Sequence, residues 1–310
     1  MKMKIAVWGA TGHVGKAVTT EFAKRKGLVL DVFVRNTAKA EEFLSREHIS
    51  NISAYDIKEF NAAGYDAVIN CTGIGNPGVL AQYSERVFQI TEEFDSLLIS
   101  SAQQNPKCVF INFSSGAVYG TEFYEPATAQ TAVSFSPNDI TPNRFYGLAK
   151  LNSEGKHRAY PNLPIIDLRM FAFFSRFIDW DAPFFMSELC QSIIHKTIFR
   201  TSQDDFVRDF IHPADLSEML IRCIEKGGNT VYDLYSQAPV TKWEIIRCCA
   251  ENFGLQYTID EVKLSPTGAK SNYYSLHHKV EEIGYRPRYT SLEGLSAIIR
   301  SIVAEGDRTI

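Results

Sequence analysis

The chain has 310 residues, of which 45% are hydrophobic and 22% charged, and its formal net charge at neutral pH is −4. That length supports one large or two modest domains with real cores, and the composition is ordinary for a globular protein. A mildly acidic balance without a long basic run argues against a nucleic-acid binder, and no apolar stretch nears the roughly 20 residues of a membrane span.

Lys2 and Lys4 precede an apolar run, but it stops at Gly9, too soon for a signal core. The first element is instead a buried strand, Ile5–Trp8, followed by a helix with Val14, Ala17, Val18 and Phe22 at helical spacing. Leu28–Val34 reads as a second strand. Thr37–Glu47 reads as a helix with Thr37 as its N-cap. Ile49–Ala54 is a weaker third strand and Ala67–Asn70 a fourth, closed by the loop Thr72–Gly78. A long helix spans about Gln82–Gln104. Cys108–Phe113 is a continuous apolar strand, as expected for one buried on both faces. A helix over Phe145–Tyr160 and a strand over Ile165–Phe171 follow.

This alternation predicts an α/β fold, a doubly wound parallel sheet of the Rossmann type. After Phe171 the rhythm changes, and the aromatic-rich stretch Phe173–Phe185 reads as an insertion. The expected organisation is a dinucleotide-binding domain over 1–171, with part of 205–236 returning to it. Residues 172–310 form mainly a smaller C-terminal α/β substrate lobe. Cysteines 71, 108, 190, 223, 248 and 249 form no C-x-x-C pair, so they read as reduced thiols of a cytoplasmic protein without a metal site.

The turn Gly9-Ala10-Thr11-Gly12-His13-Val14-Gly15 joins the first strand to the first helix. Glycines at this spacing permit a tight turn, close backbone approach to a pyrophosphate, and close helix packing. The helix start offers unpaired N–H groups to the anion. The second strand ends Val34-Arg35-Asn36, where an acidic residue would bond the ribose hydroxyls of NAD. Arginine suits a 2′-phosphate, so NADP(H) is favoured over NAD(H). Asp31 lies too early in the strand to reach a ribose.

Tyr146 and Lys150, four apart, share one helix face. A free phenol titrates near about 10, and a neighbouring ammonium lowers that value, making tyrosine a workable acid or base. Ser114-Ser115 follow the fifth strand, so the Ser115 hydroxyl can hold a substrate oxygen beside Tyr146. Gly9, Gly73 and Ser115 all fall at strand ends, where open α/β sheets bind ligands.

These motifs resemble the extended short-chain dehydrogenase/reductase family, in its NAD-dependent epimerase/dehydratase, nucleotide-sugar branch. The resemblance runs through the glycine turn, Asp56-Ile57, Ser114–Gly120, Tyr146 and Lys150. It continues to the block Arg208-Asp209-Phe210-Ile211-His212-Pro213-Ala214-Asp215-Leu216 and a tail over Lys279–Tyr289. It implies Ser115, Tyr146 and Lys150 as the catalytic trio and Arg208 as a contact to the nucleotide diphosphate. Cofactor contacts would come from Gly9, Thr11, Gly12, His13, Val14, Gly15, Arg35, Asn36, Asp56, Ile57, Cys71, Thr72, Gly73, Tyr146 and Lys150. Asp56 and Ile57 would flank the adenine. The substrate would meet Ser115, Asn143, Arg176 and Arg208. His212 reads as structural. The family also implies a homodimer through two long helices, here Gln82–Gln104 and Phe145–Tyr160.

Departures narrow the chemistry. Relatives that eliminate water carry an Asp-Glu pair where this chain has Gly116 and Ala117, and the dual epimerase–reductases carry a cysteine where it has Gly116. The asparagine that usually touches the substrate phosphate is missing from Arg169–Arg176, where Arg176 is the available compensation. The expectation is an NADP-dependent 4-ketoreductase acting on a nucleotide-linked deoxysugar, with Tyr146 as proton donor. The alternatives are an NAD-dependent nucleotide-sugar 4-epimerase and a non-catalytic NADP-sensing protein.

Overall fold

The computed structural model describes residues 2–73, 86–138, 140–260 and 271–306. Its main sheet has seven strands: β1 Met3–Trp8, β2 Leu28–Val34, β3 Ser53–Asp56, β4 Ala67–Asn70, β5 Val109–Ser115, β6 Ile165–Met170 and, far later in the chain, β11 Thr230–Asp233. The spatial order is β11-β6-β5-β4-β1-β2-β3, parallel throughout. The direction of winding reverses between β1 and β4, which opens a crevice at the carboxyl ends of the strands.

The strands form where apolar runs can be buried on both faces. Ile5 and Val7 point into a core built with α1 His13–Ala23, α2 Thr37–Arg46 and α6 Pro213–Lys226. Ala6 and Trp8 point the opposite way, into a core shared with α3 Arg86–Gln104. Next to α3 lies α4 Pro142–Arg158, and Lys156 of α4 donates to Glu92 of α3 at 2.7 Å.

The smaller lobe has its own apolar core, formed by α5 Phe185–Ile194, α7 Lys242–Phe253 and α8 Ser291–Gly306. Three short pieces, β9 Val207–Arg208, β12 Val240–Thr241 and β14 Asn272–Tyr273, pair in the order β12-β9-β14. Among the described residues two further pairs form: β7 Ala172–Phe173 with β10 Phe210–Ile211, and β8 Ile198–Thr201 with β13 Gln256–Ile259. Among the described residues, no helix is long and apolar enough to cross a membrane.

Several boundaries differ from the sequence expectation for identifiable reasons. The N-cap of α2 is Asn36, not Thr37: the Asn36 carboxamide accepts from Lys39 N–H at 3.0 Å, satisfying a first-turn donor. The third strand is Ser53–Asp56, not 49–54, because Ile49 N–H closes the end of α2 on Leu44 and pairing with β2 starts at Ser53. The fourth helix starts at Pro142, which needs no N–H in the first turn. The fifth strand continues through Ser114 and Ser115, both buried and paired with β6. The expected helix start at 82–85 and much of the loop Thr72–Gly78 lie outside the described residues.

Candidate active site

The crest of the sheet is built from β1, β4 and β5. Gly9 leaves β1 at φ +72, and a Cβ there would sit 3.0 Å from the Thr72 methyl and 3.1 Å from the Cys71 carbonyl. Gly15 is tighter: its Cβ would lie 2.2 Å from the Gly9 carbonyl oxygen. The turn and the β4 loop are thus pressed together by residues that only glycine can supply. Helix α1 starts at Gly12 with no side-chain cap, so the first-turn N–H groups of His13 and Val14 remain for a ligand. A pyrophosphate fits that donor set.

Burial, with Lys16 nearby, lowers His13 to a pKa of about 4. Its ring packs at 5.0 Å on Phe173, and its Nε2 is buried without a partner. Burial also pushes the Cys71 thiol up, leaving it inert.

At the far end of the crevice, Arg35, Asn36, Ala54, Tyr55 and Asp56 line a cleft of about 440 Å³ with Glu41 and Glu59. Asp56 caps a short turn by accepting from Lys58 N–H, and Ile57 packs onto the core beside it. Asp31 is taken by the Tyr65 hydroxyl at 2.8 Å and by Lys4 at 3.2 Å, away from this cleft.

Ser115 ends β5, and its Oγ accepts from Ala117 N–H at 3.2 Å. Helix α4 crosses directly over that turn. A Cβ on Gly147 would lie 2.4 Å from the Ala117 carbonyl oxygen, so the residue after Tyr146 has to be glycine. Lys150, one turn on, is buried; its Nζ donates to the Phe113 carbonyl at 2.8 Å and faces Gly73 across the crest. Tyr146 is half-buried and near enough to Tyr273 to contribute to the rise in that phenol's pKa. Ser115 at the end of β5 and Lys150 facing Gly73 thus lie along one edge of the sheet, with Tyr146 one turn before Lys150 on α4.

The second lobe adds two groups. Arg208 on β9 is half-buried, and desolvation lowers it to a pKa of about 10. Its guanidinium stacks 4.6 Å from Phe206 and 5.7 Å from Tyr273. Its Nη1 donates to the Val207 carbonyl at 2.8 Å, and the two neighbouring carboxylates hold other groups. Asp205 accepts from the Phe206 and Lys242 N–H groups, and Asp209 from Ser236 N–H and Ser291. Tyr273, opposite Arg208 on β14, reaches Ser115 Oγ at 3.2 Å. Sequence reasoning missed Tyr273, because no local pattern marks a contact 158 residues apart.

Two other expected substrate residues are not brought to Ser115. Asn143 is exposed in the first turn of α4 and accepts from Thr141. Arg176 pairs with Glu47 beyond the end of α2 and covers Phe177 at 4.6 Å. With Phe177 packed on Phe43 and Phe173 on His13, the stretch after β7 is laid over α1 and α2. His212 caps α6, its Nδ1 accepting from Ala214 N–H, as a structural role requires.

Two buried networks brace the site. Thr72 donates to Asn70, Asn70 to Asn112, and Asn112 to Asp167, which also meets His157 of α4 at 2.9 Å. Ser114 donates to Glu154 of α4, whose carboxylate holds Arg169; Arg169 in turn donates to Tyr119, which donates to Asp233. Gly116 has the Phe171 ring 2.4 Å from where a Cβ would stand. The position where a dehydratase carries an acid is thus filled by an aromatic wall.

A doubly wound parallel sheet with an uncapped helix start after its first strand suits a nicotinamide-dependent enzyme of the short-chain dehydrogenase/reductase type. The comparison of families agrees. Residues 5–234 match the NAD dependent epimerase/dehydratase family, and the chain belongs to it.

No curated protein matches the chain. Solved structures share its fold at low identity. A UDP-N-acetylglucosamine 4-epimerase from Methanobrevibacter ruminantium superposes with a TM-score of 0.79 at 18% identity, covering 100% of both chains. A UDP-glucuronic acid 4-epimerase from Bacillus cereus, in complex with UDP-glucuronic acid and NAD, gives 0.78 at 18%, covering 98% of this chain and 99% of that one. A dTDP-glucose 4,6-dehydratase from Bacillus anthracis, in complex with NAD, gives 0.73 at 16%, covering 96% of each.

Proposed function

We propose that this chain moves a hydride at C4 of a nucleotide-linked sugar, interconverting an alcohol and a ketone. What supports it is Ser115 at the end of β5, Lys150 held on the Phe113 carbonyl and Tyr146 one turn before it on α4, with the uncapped start of α1 at the same sheet edge. A bound nicotinamide dinucleotide supplies the hydride donor or acceptor. The turn from Gly9 to Gly15 would hold its pyrophosphate, Asp56 and Ile57 would meet its adenine, and Cys71, Thr72 and Gly73 would line the same site.

Tyr146 carries the proton to or from the C4 oxygen. Lys150, one helical turn further on, is held by the Phe113 carbonyl at 2.8 Å. Ser115 holds the oxygen where negative charge develops. Arg208, on β9, would pair with the diphosphate.

Two net reactions use this step. Reduction of a 4-ketosugar by NADPH draws on Arg35 at the end of β2, suited to a 2′-phosphate. Epimerisation at C4 with NAD retained draws on Glu41, Asp56 and Glu59, which line the same cleft and would repel a phosphate. Three carboxylates against one guanidinium make the epimerase reading the stronger of the two, and the superposed 4-epimerases are consistent with it. A homodimer through α3 and α4 belongs to the same reading; their shared groove exposes Phe88, which packs on Phe145.

The test is a panel of UDP-glucose, UDP-N-acetylglucosamine, UDP-glucuronic acid and a dTDP-linked 4-keto-deoxysugar, each with NAD(H) and NADP(H). An epimerase interconverts C4 isomers with no net change in nicotinamide absorbance. A reductase oxidises NADPH in step with ketosugar consumed. Cofactor binding without turnover of any sugar would refute both and leave a binding protein.

A further inference from the structure

Strands β4, β5 and β6 each place a polar residue on the same rung of the sheet. Asn70 is in register with Asn112, and Asn112 with Asp167. All three are buried, Asp167 completely. Burying such groups costs free energy unless each is hydrogen-bonded, so a row of three in the middle of a sheet needs a reason.

The row has a direction, and both of its ends set it. A carboxylate only accepts and a backbone N–H only donates, whereas a carboxamide can present either side by turning over. At one end Asp167 accepts from Asn112 at 2.8 Å. Burial pushes the Asp167 pKa up, but His157, Arg158 and Asn112 outweigh that and hold it below the ordinary carboxylate value, so it is ionised at neutral pH. The NH2 group of Asn112 has to face Asp167, which leaves its oxygen to accept from Asn70 at 2.9 Å. The Asn70 oxygen is in turn left to accept from Thr72 N–H, at 3.0 Å. With either carboxamide turned over, oxygen would face oxygen on one side and donor would face donor on the other.

Thr72 sits where a small shift matters. Its methyl stands 3.0 Å from the place that a Cβ on Gly9 would take, and Lys150 Nζ lies 3.7 Å from the corresponding place on Gly73. Asp167 also meets His157 at 2.9 Å, on the helix that carries Tyr146 and Lys150. One carboxylate thus anchors both the loop after β4 and the helix beside it.

We propose that Asp167 is a positioning residue for the cofactor site: it orients the Asn112 and Asn70 carboxamides so that Asn70 holds Thr72 N–H and fixes the loop after β4 against the glycine turn. It acts from two strands away, through two intervening side chains. This inference rests on the reading above that the glycine turn and this loop hold a nicotinamide dinucleotide.

Asp167→Asn keeps the shape and removes the obligatory acceptor. Two quantities are read in the native and the Asn70→Ala backgrounds: hydrogen exchange at the Thr72 amide, and the dissociation constants of NADH and NADPH by fluorescence titration. In the native background Thr72 exchanges about tenfold faster and the more tightly held dinucleotide binds about tenfold more weakly, the scale of one hydrogen bond. In the Asn70→Ala background the Thr72 amide has already lost its acceptor, so the change at 167 alters neither quantity further. A merely structural role would speed exchange across β5 and β6 together without singling out Thr72. An unmoved Thr72 amide, an unmoved dissociation constant, or equal changes in both backgrounds overturns the proposal.

If Asp167→Asn folds poorly, Asn112→Leu breaks the same row and leaves Asp167 with His157 and Arg158. It has to release the Thr72 amide and weaken dinucleotide binding in the native background alone; any other pattern overturns the proposal. Failure of the underlying reading shows separately, as wild-type protein that binds neither NADH nor NADPH.

Discussion

Gly147→Ala probes the closest approach in the site. The added methyl would stand 2.4 Å from the Ala117 carbonyl oxygen, whereas ordinary contact begins at 3.4 Å. The obstacle is backbone, so α4 has to move off the Ser115 turn by about 1 Å. A misplacement of that size costs on the order of a hundredfold in rate. The overpacking itself costs about 1–3 kcal/mol, partly offset by about 1 kcal/mol of helix propensity gained. Gly155→Ala is the control. It lies on the same helix, exposed, with nothing within 4 Å of the new methyl, and it stabilises by up to about 1 kcal/mol without touching the rate. Steady-state kinetics and urea unfolding of both variants decide the matter. Full activity in Gly147→Ala would refute the claim that Tyr146 and Ser115 must be held this close.

Three further expectations concern the frame of the site. Glu154→Leu leaves Arg169 and Ser114 without their shared carboxylate; Arg169 keeps Tyr119 and Asp233, so the loss is about 3 kcal/mol by urea unfolding, and under about 1 would show that the network is idle. His13 is held neutral below its unfolded pKa of 6.5, so the unfolded chain binds the extra proton and stability falls as pH drops from 6.5 towards 4. His13→Phe removes its share, and unfolding profiles of the two proteins with equal slopes across that window would contradict this. Gly116→Ala drives a methyl into Phe171 and lowers stability by about 1–3 kcal/mol, and Gly116→Ala with Phe171→Leu recovers part of it; an unaltered melting temperature in the single variant would show that the aromatic wall yields freely.

Much of the first lobe was legible in the chain because its strands carry their own signal. Leu28–Val34 and Ala67–Asn70 are apolar runs bounded by glycine or polar residues, and the structure reproduces both spans. Errors arose where tertiary pairing overrode composition. Ser114 and Ser115 are polar, yet they extend β5 because Glu154 and Tyr273 satisfy their hydroxyls. Asn36 took the cap from Thr37 through a side-chain reach that a hydrophobic pattern does not encode. The place of Ser115 at a strand end and the one-turn spacing of Tyr146 and Lys150 on a helix were readable in the chain. Tyr273 was not: it lies in a short strand of the smaller lobe, and its partner is set by how the two lobes pack. The same holds for Arg176, whose attachment to Glu47 depends on how the stretch after β7 lies across α2.

The most direct test of the shared site is Tyr146→Phe, read by two measurements on one preparation: titration of the nicotinamide cofactor, and hydride transfer with a turned-over sugar nucleotide. The account predicts an unchanged cofactor dissociation constant with hydride transfer reduced by about a hundredfold or more. Retained hydride transfer, or a loss fully explained by weaker cofactor binding, would contradict it.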